Sequence, residues 1–166
     1  MALKKTSEIV AVGFSVSETA PNTFAQTQVD LQLSPLDQEV FVVVAIDLDP
    51  TAPDAVTNTN TSIAMSLSTT SRTSFGNLNT SSVLANAVYD IRADAANHVA
   101  IQRTSLDSPP AALDYIGIIA TNDFFVQLVG AGNANAKDGF GRLWGYRAKA
   151  DAATYAALVQ SEILTS

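Results

Sequence analysis

Residues 28–48, QVDLQLSPLDQEVFVVVAIDL, decide the fold class. In the first third, Val29, Leu31 and Leu33 alternate with Gln28, Asp30 and Gln32. Successive side chains of an extended chain point to opposite faces, so this pattern predicts a half-buried strand over 23–33. Ser34-Pro35-Leu36-Asp37 reads as a turn, since Pro presets φ and Ser and Asp bond to nearby backbone. The run from Glu39 to Asp47 is nearly unbroken in Val, Phe and Ile. A strand of that composition needs apolar cover on both faces and belongs inside a sheet.

The same signals recur outward from there. Residues 8–17 place Ile9, Ala11 and Gly13 on one face and Val10, Phe14 and Val16 near the other. Residues 62–69 alternate again, with Ile63, Met65 and Leu67 on one side. Shorter runs at 87–93, 99–105, 115–120 and 124–130 read as further strands. Asp94–Asn97, Ser108-Pro109-Pro110 and Thr121-Asn122-Asp123 interrupt them. Residues 49–60, with Pro50 and Pro53, and the Ser/Thr/Asn-rich 70–82 read as long connections. A hairpin is expected between 124–129 and 141–149. Its loop, 130–140, holds Gly130, Gly132, Asn133, Asn135 and Gly139, which tolerate positive φ. Asp151 suits a helix N-cap, and Tyr155, Leu158, Val159 and Ile163 recur at helical spacing, which predicts a helix over 152–164. There is no βαβ alternation and no fixed-period repeat. The expected architecture is all-β: one antiparallel two-sheet sandwich over 1–166, jelly-roll-like, with a C-terminal helix.

The 166 residues suffice for one sizeable core. Hydrophobic residues make 47% and charged residues only 15%, so neutral hydroxyls and amides carry the surface. Ser, Thr and Asn together are about a quarter of the chain. Such groups lose less than charges when a partner covers them, which suits close protein contact or an exposed surface domain. The formal net charge of −7 disfavours direct nucleic-acid binding, which draws on counterion release. Only Lys4 and Lys5 mark the N-terminus, in place of a basic arm. No apolar stretch follows them, so no signal peptide is expected, and no run reaches the length of a membrane span. Without cysteine, disulfides, thiolate metal sites and Cys nucleophiles are excluded.

Few residues could carry chemistry. His98 is the single histidine, and neither a zinc set nor a Gly-x-Ser-x-Gly elbow accompanies it. Asp47 and Asp49 share a face of an extended segment, and Asp54 could return to them. Three hard oxygens in a loop could hold Ca2+, but no EF-hand pattern follows, and a solvated strand end accounts for these residues better. Gly130–Gly141 lacks the Gly-Lys-Ser/Thr ending of a phosphate loop, and Lys137 stands alone. Asn60-Thr61-Ser62 and Asn79-Thr80-Ser81 match the glycosylation sequon, as chance allows in so Asn/Ser/Thr-rich a chain. Arg142, Trp144 and Tyr146 share one strand face, with Leu143, Arg147 and Lys149 on the other. Such aromatics beside Arg can stack on bases, but more often they supply core or interface. Trp144 and Tyr146, with Tyr155 and Leu158 of the helix, are therefore the interface candidates. No catalytic or cofactor-binding residue and no resident cofactor is expected.

The order of elements resembles the small single-jelly-roll coat proteins of icosahedral viruses, of phage and environmental type. The strand at 23–33 followed by 40–47, the polar connections and the 124–149 segment carry the likeness, with the Arg147-Ala148-Lys149-Ala150-Asp151 and Tyr155–Leu158 tail. The resemblance implies a capsid subunit that assembles with copies of itself into a large homo-oligomer, alongside other virion proteins. It also implies residence in the virion, with host cytoplasm as the place before assembly. A carbohydrate- or receptor-binding sandwich of spike or lectin type is the alternative.

Overall fold

The computed structural model describes residues 3–104 and 113–164. Ten strands and one helix follow in order: β1 (Leu3–Lys5), β2 (Val10–Ser17), β3 (Ala25–Asp30), β4 (Glu39–Pro50), β5 (Thr61–Ser68), β6 (Val83–Ala93), β7 (His98–Thr104), β8 (Gly117–Ile119), β9 (Asp123–Ala131), β10 (Asp138–Ala150) and α1 (Ala152–Leu164). Every strand pairing is antiparallel, in two sheets. The first sheet runs β1-β10-β4-β8, with β2 also on β10, and the second β3-β9-β5-β6-β7. β1 and β2 pair with successive parts of β10, so they act as one interrupted strand. Counted that way, eight strands wrap as a jelly roll and β7 extends the second sheet by one.

The wrap corrects one expectation. β9 and β10 are not a hairpin: β9 lies between β3 and β5, and β10 between β2 and β4 in the other sheet. Residues 132–137 cross from sheet to sheet. Among the described strands only β5–β6 and β6–β7 are sequence neighbours that also pair. The expected strand over 23–33 also ends early. Gln32 turns to φ 53°, with its N–H on Asp30 Oδ1 at 2.7 Å, while Leu31 and Leu33 still bury. Ser105 and the Ser108-Pro109-Pro110 break lie outside the described residues.

The core between the sheets holds Phe41, Val43, Ile46 and Leu48 of β4 against Ile63, Met65 and Leu67 of β5 and Phe124, Val126 and Leu128 of β9. Each such side chain contributes about 1.5–3 kcal/mol by leaving water. Two glycines of β10 make room for rings. A Cβ on Gly145 would run into the Phe41 ring and the Val42 carbonyl, and one on Gly141 into the Phe14 ring.

A bulge then sets what β4 shows to solvent. Trp144 faces Ala45 but Gly145 faces Val43, so Val44 is the extra residue. The extra residue reverses the inside–outside phase. Phe41 and Val43 point inward before it, Ile46 and Leu48 after it, and Asp47 and Asp49 are left outside. Without the bulge the two aspartates would face the core.

Candidate functional site

The outer face of the first sheet divides in two. Over one half lies α1: Tyr155, Leu158 and Val159 pack with Leu3, Ile118 and Tyr146 onto buried Val40, Val42, Ala120 and Ala148. Asp151 caps the helix, accepting from Thr154 N–H at 2.7 Å, as its sequence suggests. The helical stripe differs from expectation in its last turn. Counting from Tyr155, positions 158, 159 and 162 stay on one side, so Glu162 is buried and Ile163 is exposed. The Glu162 carboxylate accepts from Ala120 N–H, from Thr121 N–H at 3.0 Å and from the Thr121 hydroxyl at 2.6 Å. Burial pushes its pKa up from 4.5, against these hydrogen bonds. Its spacing from Tyr155 is the available signal, masked because a lone Glu reads as surface.

The other half is bare among the described elements. Phe140, Gly141, Arg142 and Trp144 of β10 and Asp47 and Asp49 of β4 line a shallow depression of about 320 Å3. Arg142 faces Asp47 across the ladder, and Phe140 faces Asp49. The Arg142 guanidinium stands 5.8 Å from the Trp144 ring centre, and Phe140 is 48% exposed. Burial first, then the charges of Asp49 and Asp47, raise the Tyr89 phenol above 10.0. Of the four interface candidates, Tyr146, Tyr155 and Leu158 are thus packed within the chain. Trp144 alone looks onto the open half.

The three aspartates considered for Ca2+ are not gathered, and among the described residues no group of three acidic or histidine side chains could hold a metal. Asp54 is occupied elsewhere. It pairs with Lys137 and accepts from the N–H of Ala134 at 3.0 Å and of Asn135 at 2.9 Å. Lys137 and then the Asn135 N–H hold its pKa below 3.8. Buried Glu18 similarly accepts from Gly130 N–H at 3.1 Å and Lys137 N–H at 2.9 Å. The loop's own carboxylate partners therefore take the N–H groups that a phosphate would need. Asn133 completes the end, donating to Ser62 O and accepting from Asp54 N–H, both at 2.9 Å. His98 opens β7 and is exposed.

The sequence predicts β7 itself, but not its position. It is the edge of the second sheet, with every described side chain from 98 to 103 exposed. Val99 and Ile101 are 56% and 42% exposed. Their register partners Arg92 and Asp90 put them on the sheet's outer face, away from Ala87 and Tyr89 of the core side. Arg103 and Arg92 lie 3.2 and 4.0 Å from Asp90. The long 69–82 connection folds over the rest of that face, with Gly76 N–H on Ser66 Oγ at 3.1 Å and Arg72 N–H on Gln26 Oε1 at 2.8 Å.

No family model matches this chain, and no curated protein does. Among solved structures, the chain is similar to a Desmodium yellow mottle tymovirus structure at 12% identity and a TM-score of 0.31, over 86% of this chain and 87% of that one. It is also similar to the tailspike protein gp49 from Acinetobacter baumannii bacteriophage Fri1, a capsular polysaccharide depolymerase. There the identity is 11% and the TM-score 0.18, over 73% of this chain and only 20% of the tailspike. At TM-scores this low, neither likeness assigns a role to the chain, whose own surfaces must carry that argument. No helix among the described residues is long and apolar enough to cross a membrane.

Proposed function

We propose that this chain is a self-associating structural subunit, a coat protein of a virus-like shell, and that it has no catalytic role. The observation that carries the reading is the jelly-roll wrap bearing two apolar patches that no other described element covers, exposed Phe140 beside half-buried Trp144 on one sheet and Val99 with Ile101 on the other. Exposed apolar groups of this kind mark contact sites, and a bare edge strand invites pairing with a further chain. Two of the polar groups that first suggested chemistry, Asp54 and Lys137, are tied to each other. The working location would be the virion, with genome neutralisation left to other components, since the chain is acidic. Light scattering after size exclusion and electron microscopy of the purified protein are the test. Closed particles or large homo-oligomers are expected, and a monomer at every concentration would sink the reading.

The Trp144 depression also favours a second reading, carbohydrate binding. An aromatic ring offers a stacking surface, and Asp47 and Asp49 offer acceptors for sugar hydroxyls. A glycan array in which Trp144→Ala abolishes a wild-type signal would establish it, and an array without wild-type signal would remove it.

A further inference from the structure

We infer that the Trp144 depression of one copy receives the β7 face of the next, in a head-to-tail contact; this rests on the self-assembly reading. The two surfaces match in kind. The depression presents Phe140 and Trp144 with two exposed carboxylates, Asp47 and Asp49, and one exposed guanidinium, Arg142, so it is acidic by one charge. The β7 face presents Val99 and Ile101 with the Arg92 and Arg103 side chains, 58% and 65% exposed. Asp90 lies beneath these two guanidiniums with its side chain only 8% exposed, so they set the sign that a partner meets. Both surfaces have an apolar centre, and the net charges around the two centres are opposite.

The crossed pairing uses that complementarity. Depression against depression would set two net-acidic surfaces together, and β7 face against β7 face would set two net-basic ones together. Like charges across an interface suppress association. The depression lies on the outer face of the first sheet and the β7 patch on the outer face of the second, so they face away from each other. One neighbour therefore cannot fill both. A contact of this kind leaves a free half at each end and propagates into a ring or an extended array, as a shell requires.

Two variants test it. Asp47→Lys with Asp49→Lys reverses the depression and leaves β7 intact. Val99→Asn with Ile101→Asn removes the apolar centre of the β7 face and leaves the depression intact. All four positions are exposed, and circular dichroism checks that the strands remain. At a concentration where wild type assembles, each variant alone should run as a monomer by light scattering. Their equimolar mixture should give a 1:1 dimer that grows no further, because only one intact pair of surfaces remains. Should either variant lose its strand signal, Asp47→Asn/Asp49→Asn and Val99→Ser/Ile101→Ser replace them. Each of these should raise the assembly threshold about tenfold, equivalent to about 1.4 kcal/mol. Variants that assemble like wild type, or a mixture that stays monomeric, overturn this contact while leaving the shell reading standing. A monomeric wild type overturns the shell reading and the contact together.

Discussion

The two halves of the first sheet's outer face have similar backbones and different fates. Under α1, Val40, Val42 and Ala148 are fully buried, and Tyr146 is held between Lys5, 5.1 Å from its ring centre, and the helix cluster. Beyond the helix, the same two strands present Phe140, Arg142, Trp144, Asp47 and Asp49. The difference begins in β4, where the Val44 bulge separates the Val-rich stretch from the Ile46-Asp47-Leu48-Asp49 alternation. One half is a satellite core that stabilises the fold. The other is furnished with aromatic and charged groups that no other described element covers.

The distinction breaks most visibly under substitution. Val42→Asp puts an unpaired carboxylate beneath the helix and should cost about 4 kcal/mol or more, enough to leave little folded protein. Trp144→Ser on the bare half should cost about 1 kcal/mol or less in urea unfolding. Equal losses at the two positions would erase the contrast. Between these extremes lies the clasp of the covered half. Glu162→Ala leaves the N–H groups of Ala120 and Thr121 and the Thr121 hydroxyl without that acceptor. An unsatisfied buried donor costs about 1–3 kcal/mol, so the melting temperature should fall while the strand signal persists. An unchanged melting temperature would mean the clasp contributes nothing.

The sequence shows the covered half more readily than the bare one, for physical reasons. Period-two runs, Asp151 as a cap and the helix over 152–164 are local features, and the structure has them. Sheet membership is not local. Residues 124–130 and 141–149 flank a Gly/Asn loop as a hairpin would, and only the long-range pairings of β9 with β5 and of β10 with β4 part them. Packing within the chain is equally hidden: nothing in the spacing of Trp144 and Tyr146 says that α1 covers one and stops short of the other. Proximity in sequence groups Asp54 with Asp47, yet Lys137, far along the chain, claims it. The Glu162 position is legible in principle, since it falls on the helical stripe that Tyr155 and Leu158 define.

Acidity gives the smallest and most selective probe of the same clasp. Glu162 has a folded pKa raised above 4.5 by burial, so the folded state holds this proton more tightly than the unfolded chain. Its contribution is fully present below pH 4.5 and is lost as pH rises through the folded value. Asp54, Asp94 and Asp151 act in the opposite sense, with pKa values held below 3.8 by Lys137, by the Ala96 N–H and by the Thr154 N–H respectively. Their contributions are present above 3.8 and vanish as pH falls further, so the two windows do not overlap. Gln cannot titrate, so Glu162→Gln isolates the first window. The melting temperature of wild type minus that of Glu162→Gln should increase as pH is lowered from 7 toward 4.5. A difference that stays flat, or shrinks, would show that the carboxylate under α1 is not held at a raised pKa.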